Sequence, residues 1–163
     1  MNVQEEHSAK LARVREYLDR KGLQGVLLTQ QAWFSWITCG CENRVVIASE
    51  IGSASVYVGR DAVRVVCDNI EAPRMVQEEI GELGLTVIDY PWHQPAERER
   101  IVAELAAGRK VASDVPTAWT VPLERDFDEL RYALTESEIN RYRWLGRNCS
   151  LAVEKVCTSV RQE

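Results

Sequence analysis

Few side chains in this sequence have the types and spacing to do chemistry, and each has a plainer use. Asp68 and Glu71 stand three apart and could act as paired carboxylates in acid–base work. At the start of a helical segment the same spacing is helix capping with favourable dipole placement. His93, in Tyr90-Pro91-Trp92-His93-Gln94-Pro95, is a lone imidazole in a proline-bounded loop and reads as a surface residue. Cys39-Gly40-Cys41 has the closeness of half a thiolate site. A tetrahedral zinc needs two further ligands, however, and the only histidines, His7 and His93, lie in unrelated segments, so the pair reads as thiols in a turn. Glu78-Glu79 and Glu97-Arg98-Glu99-Arg100 read as solvated helix faces. With no glycine-rich phosphate loop, nucleophile elbow or His-Glu-x-x-His, the sequence offers no catalytic constellation and no metal set of its own.

Binding is better represented. Trp33, Phe34 and Trp36 fall within four positions of a chain that is only 7% aromatic. They read either as a short helix wedged under a sheet or as a recognition surface, since aromatics give large contact area at low entropic cost. Arg44 follows directly, at the entrance to a β-branched run, where it could stack on Trp33 or Trp36 and hold a carboxylate or a peptide terminus.

The elements that position these groups are legible from periodicity. At 163 residues, with 45% hydrophobic and 28% charged residues, the chain has the make-up of one ordinary folded domain rather than a disordered segment. A net charge of -5 with interspersed signs offers no basic face, so neither nucleic acid nor membrane is an expected partner. The first residues, Met1 to Glu6, lack the apolar core of a signal peptide, and five cysteines without a secretory signal argue for thiols, so a cytoplasmic location is expected. Ser8 to Lys21 reads as a helix stopped by Gly22, and Gly25 to Thr29 as a buried strand. Val45–Ala48, Ala54–Val58 and Val63–Cys67 read as an antiparallel meander. A helix is expected from Asp68 or Asn69 to Glu82 with Ile70, Met75 or Val76, and Ile80 inward, then a strand at Leu85–Ile88. A helix from Ala96 to Ala107 and a last strand at Lys110–Ser113 follow, with a helical turn or two up to Asp126 and a short helix near Phe127 to Tyr132. The expected architecture is α/β: a mixed sheet of about six strands flanked by helices on both faces.

The final stretch is the most specific. Thr135 and Glu138 form a capping box, and Ile139, Tyr142, Leu145, Cys149, Ala152, Val156 and Val160 recur at steps of three and four with no glycine or proline stop. About 25 residues at roughly 1.5 Å each make a rod of roughly 40 Å, longer than a domain of this size can bury, and it is expected to bridge into a further domain.

Two stretches carry a family resemblance. Trp33-Phe34-Ser35-Trp36-Ile37-Thr38-Cys39-Gly40 is similar to the Asn-Ile-x-Tyr-Leu-Thr-Gly stretch of the creatinase, prolidase and aminopeptidase P family, with Trp33 in place of Asn and Cys39 in place of Gly. Leu130-Arg131-x-x-Leu134-Thr135-x-x-Glu138-Ile139-x-x-x-Arg143 resembles the family's Leu-Arg-x-Ile-Lys-Ser-x-x-Glu-Ile-x-x-x-Arg linker, with Leu134 in place of Lys. The resemblance implies that residues 1–133 are the creatinase/prolidase N-terminal-like domain and that 134–163 begin the catalytic "pita-bread" half. It implies a divalent metal pair (Mn, Co or Zn) held by two Asp, one His and two Glu of that half, which hydrolyses Xaa-Pro bonds, and no cofactor or catalytic residue here. It further implies a homodimer in which this domain caps the active site, with Trp33, Trp36 and Arg44 near peptide substrate across the dimer. Two alternatives remain open: a metal-free protein-binding module, and the N-terminal domain of a creatinase-like amidinohydrolase.

Overall fold

A computed structural model describes residues 2–160. The helix α1 (Val3–Lys21) starts a turn and a half earlier than periodicity suggests. Asn2 is the cap: its side chain accepts from the Glu5 amide at 2.8 Å, and Glu5 returns the favour on the Asn2 amide at 2.9 Å. The helix ends at Gly22, whose φ of 63° needs no Cβ in the way.

Six strands form one mixed sheet: β1 (Gly25–Gln30), β2 (Ile51–Gly59), β3 (Val63–Asp68), β4 (Thr86–Tyr90), β5 (Val111–Ser113) and β6 (Val121–Pro122), in the order β4-β3-β2-β1-β5-β6. β2 runs antiparallel to both of its neighbours, β1 and β3, while β4 adds in parallel to β3, β5 to β1 and β6 to β5. Alternation along the strands sorts the core into two layers. Val26, Leu28, Val56, Val58, Val65 and Cys67 face α1 and the short helix α2 (Gln31–Ile37). Leu27, Tyr57 and Val66 face α4 (Ala96–Leu105) through Ile101, Val102 and Ala106. Helices thus cover both faces, as expected.

The strand number agrees with expectation, but one member is different. Val45–Ala48 is a loop, with Val45, Val46 and Ile47 59%, 57% and 86% exposed. Both edges of β2, beside which this run was expected, are taken by β1 and β3, so its place in the meander is filled by β1. The sixth strand is β6, where a two-residue pairing of Val121 and Pro122 with Ala112 and Ser113 forms the sheet edge on which proline is tolerated. Lys110–Ser113 is therefore not the last strand. The segment between Pro116 and Asp126 also makes this strand rather than helical turns, and a 3₁₀ helix spans Arg125–Arg131.

The helix expected up to Glu82 is broken into α3 (Ala72–Arg74), a π-helical turn Met75–Glu79 and a 3₁₀ turn Gly81–Leu83. In the π turn the Ile80 amide bonds to the Met75 carbonyl at 2.9 Å, an i to i+5 link. That extra residue per turn swings Met75 and Ile80 to the same side, where both are buried, and leaves Ile70 and Val76 outside at 64% and 53% exposed. Beyond α2, Cys39 holds φ 61°, a left-handed conformation that glycine adopts without strain.

α5 (Glu136–Ser159) has the expected capping box, with the Thr135 hydroxyl accepting from the Glu138 amide at 3.2 Å. Only its base touches the body: Glu138 is buried, Ile139 half-buried, and every residue from Asn140 to Val160 exposed.

Candidate functional site

Where α5 meets the body, four charged side chains interlock. Glu6 and Lys10 sit one turn apart on α1, Glu138 and Arg141 one turn apart on α5. Lys10 is 1% exposed, and its Nζ donates to Glu6 Oε1 at 2.7 Å, Glu138 Oε1 at 2.9 Å and the Trp36 carbonyl at 2.8 Å. All three ammonium hydrogens are used. Arg141 takes the fourth corner, its two terminal nitrogens donating to Glu6 Oε2 and Oε1 at 2.8 and 2.7 Å in the bidentate fork that suits a carboxylate. The other Glu138 oxygen accepts from the Thr135 amide at 2.7 Å, so one carboxylate serves both helix cap and ion pair.

Two cations and two anions sum to zero, which lets Glu6, Lys10 and Glu138 stay buried while Arg141 covers them from the solvent side. Burial raises the Glu6 carboxyl, but hydrogen bonds from Arg141 and Lys10, with their charges, outweigh it and hold the pKa at about 2 against an ordinary 4.5. Glu138 follows the same pattern: burial raises it, and the Thr135 amide and Lys10 more than offset that. The hydrogen bonds to Glu6 raise Arg141 in turn. Next to the square, His7 Nδ1 lies 2.7 Å from the Ile37 carbonyl, which can only accept, so the hydrogen is on Nδ1. Its Nε2 is buried without a partner, and burial pushes the imidazole pKa down.

A cleft of ≈ 480 Å³ opens beside this cluster between α2 and α5, with Ala32, Ser35 and Trp36 on one wall and Tyr142 and Leu145 on the other. A smaller one of ≈ 240 Å³, carrying Glu42, Asn43 and Arg44, shares Ala32 and Ser35 with it, so both open on the outer face of α2.

The three residues singled out in the sequence are not brought together on one surface. Trp33, 5% exposed, belongs to the core: it packs on Phe127 at 4.6 Å and edge-on against Trp36 at 5.6 Å. Trp36 is 9% exposed, forms part of the larger cleft, and has its Nε1 buried without a partner. Arg44 does not stack on either indole; it pairs with Glu42 at 3.0 Å and lines the smaller cleft. The cations over the indoles come from remote segments instead, Arg131 at 3.9 Å from the Trp33 ring centre and Lys10 at 5.5 Å from that of Trp36. Chain proximity suggested Arg44, and the fold supplied the others.

The remaining candidates take their plainer roles. Asp68 Oδ1 accepts from the Ile70 and Glu71 amides at 2.9 and 3.1 Å, and Glu71 pairs with Arg74 at 2.9 Å, which is capping and local pairing. His93 is exposed beside Trp92. Cys39 and Cys41 are half-buried free thiols, the Cys41 Sγ against the Glu79 carbonyl at 3.1 Å. Among the described residues no three His, Cys, Asp or Glu side chains are grouped to hold a metal ion, so the residues present do not fit a metal pair. No helix among them is long and apolar enough to cross a membrane.

The charge square itself was missed in the sequence, although it left a signal. His7 and Lys10 continue the stripe of Leu11, Val14 and Leu18 on α1, with Glu6 at its margin, and charge on an apolar stripe implies a buried partner.

No protein-family model and no curated protein sequence matches the chain. Solved structures do. The chain resembles an Xaa-Pro dipeptidase from Bacillus anthracis at 19% identity and a TM-score of 0.69, with 95% of this chain covering 44% of that one. It resembles the prolidase from Pyrococcus horikoshii OT3 at 14% identity and a TM-score of 0.68, with 94% covering 44%. An Xaa-Pro aminopeptidase P from Streptococcus thermophilus matches at 16% identity and a TM-score of 0.54, with 77% of this chain covering 98% of that one. These likenesses show a shared fold, the one the two sequence motifs led us to expect. The chain spans less than half the length of the first two proteins.

Proposed function

We propose that this chain is the non-catalytic N-terminal part of a longer, metal-dependent Xaa-Pro peptidase of the aminopeptidase P or prolidase kind. In that protein residues 1–133 form a domain that helps a cytoplasmic homodimer assemble and caps an active site. Residues 134–163 lead into the catalytic half, which supplies the divalent metal pair.

The observation that carries this reading is α5. Tyr142, Leu145, Val153 and Val156 are exposed along one side, and at about 100° per residue Trp144 and Leu151 stand on the opposite side, exposed as well. A helix apolar on two sides is built to be packed between layers, and the body here grips only its base. The shared fold of Xaa-Pro dipeptidase and aminopeptidase structures supports which protein would supply those layers. The roles of Trp36 and Arg44 in this reading are to shape the peptide site across the dimer from the outer face of α2, with Trp33 backing them from the core.

Two measurements test it. The 163-residue chain, incubated with Xaa-Pro dipeptides and Mn²⁺, Co²⁺ or Zn²⁺, is expected to give no turnover; hydrolysis above the metal-only background overturns the reading. The reading frame beyond the Glu163 codon is expected to encode Asp, Asp, His, Glu and Glu ligands in that order. A frame without them makes a protein-binding module the better account.

A further inference from the structure

We infer that the Glu6–Lys10–Glu138–Arg141 square is a rigid ionic joint that sets the direction in which α5 leaves the body. Beyond Arg141 every described residue of this helix is exposed, so its direction is decided by what its first two turns touch. Those contacts are mainly polar. Lys10 holds Glu138 at 2.9 Å, and Glu6 holds Arg141 through two bonds at 2.8 and 2.7 Å.

The spacing is what makes this a joint rather than a pivot. Glu138 and Arg141 are three apart on α5, and Glu6 and Lys10 four apart on α1, so each pair is a vertical neighbour on one helix face. Two separate attachment points between two helices, together with the chain entering α5 at Thr135, fix both the rotation of α5 about its own axis and its tilt. One attachment would leave the tilt free. Lys10 adds a third element by binding the Trp36 carbonyl at the end of α2, so the wall carrying Trp36 and the wall carrying Tyr142 are referred to the same ammonium. The approach to the joint is pinned too, with Arg13 donating to the Leu130 and Ala133 carbonyls at 3.2 and 2.6 Å. In the longer protein proposed above the joint would hold the angle between two halves, but it is a property of this chain and is tested on this chain.

The test is a distance distribution between two spin labels. Cys149 and Cys157 on α5 are exposed, Cys39 and Cys41 half-buried and Cys67 buried, so labels go to α5. One label sits on Cys149 in a Cys157→Ser background and the second on Glu99→Cys, an exposed site on α4. A Cys149→Ser control measures stray labelling. The expected result is a single narrow distribution for the parent and one about twofold wider for Arg141→Gln, which cuts one attachment and leaves the other. Arg141→Lys, keeping the charge without the fork, falls between. Arg141 is 52% exposed, so the body folds without it, and unchanged near-ultraviolet dichroism checks that. Equal widths in parent and Arg141→Gln, or a broad distribution in the parent itself, overturns the joint.

Discussion

Glu6→Gln measures how much the charge square contributes to folding. In the native chain the Glu6 carboxyl is held at about 2 rather than 4.5, burial opposing and the hydrogen bonds from Arg141 and Lys10 prevailing. Glu6 is 1% exposed but its partner Arg141 is 52% exposed, so solvent screening cuts the contribution at neutral pH to about 2 kcal/mol. Glutamine recovers little of it, because its carbonyl accepts from one cation while its amide faces the other. For a chain of this size each kcal/mol moves Tm by about 2–4 °C, so a fall of roughly 4–8 °C is expected. The sign of the pH dependence follows from the lowered native pKa. The contribution is complete above 4.5 and is lost as pH falls toward about 2, so the stabilities of parent and variant converge across that window. Urea unfolding followed by tryptophan fluorescence, repeated from neutral pH downward, gives both quantities. A loss under about 1 kcal/mol, or a gap that does not narrow with acid, would show that apolar packing rather than charge holds the base of α5.

Three further outcomes are expected. Asn43, fully buried, donates from Nδ2 to the Thr29 carbonyl at 2.9 Å and the Ala54 carbonyl at 2.6 Å; Asn43→Ala strands both and should cost about 2–3 kcal/mol in urea unfolding. His7→Gln should flatten the acid limb of stability. Burial lowers the native imidazole pKa from 6.5, so the unfolded chain takes up a proton first and the parent loses stability as pH falls below 6.5, a loss visible as a steeper slope than the variant's in unfolding free energy against pH. Ala107, exposed at the end of α4 with φ 50°, is strained where glycine is not; Ala107→Gly should raise stability by about 0.5–1 kcal/mol, read as a higher unfolding midpoint.

Local rules settled much of the chain. Gly22, the Thr135–Glu138 box and the apolar runs of the central strands are decided within a few residues, by capping geometry and by side-chain alternation, and so could be read without coordinates. The first cap was missed, with the helix expected from Ser8, although Asn2-x-x-Glu5 carries the same signature one residue type over. Where partners are distant, sequence rules had nothing to act on. Val45–Ala48 has strand composition, but its expected place beside β2 is taken by β1, and β6 exists because β5 offers a free edge. The π turn at Met75 follows from a core that needs Met75 and Ile80 on one side. The candidate site divides the same way. The sequence by itself singled out Trp33, Trp36, Arg44 and the capped helix. Only the tertiary structure decided that Lys10, 128 positions before Glu138, would supply its counter-charge, and that Arg131 rather than Arg44 would cover Trp33. Helix caps and periodicities are short-range and written into neighbouring residues, whereas the neutrality of a buried charge cluster is a condition on groups that only folding brings within 3 Å of one another.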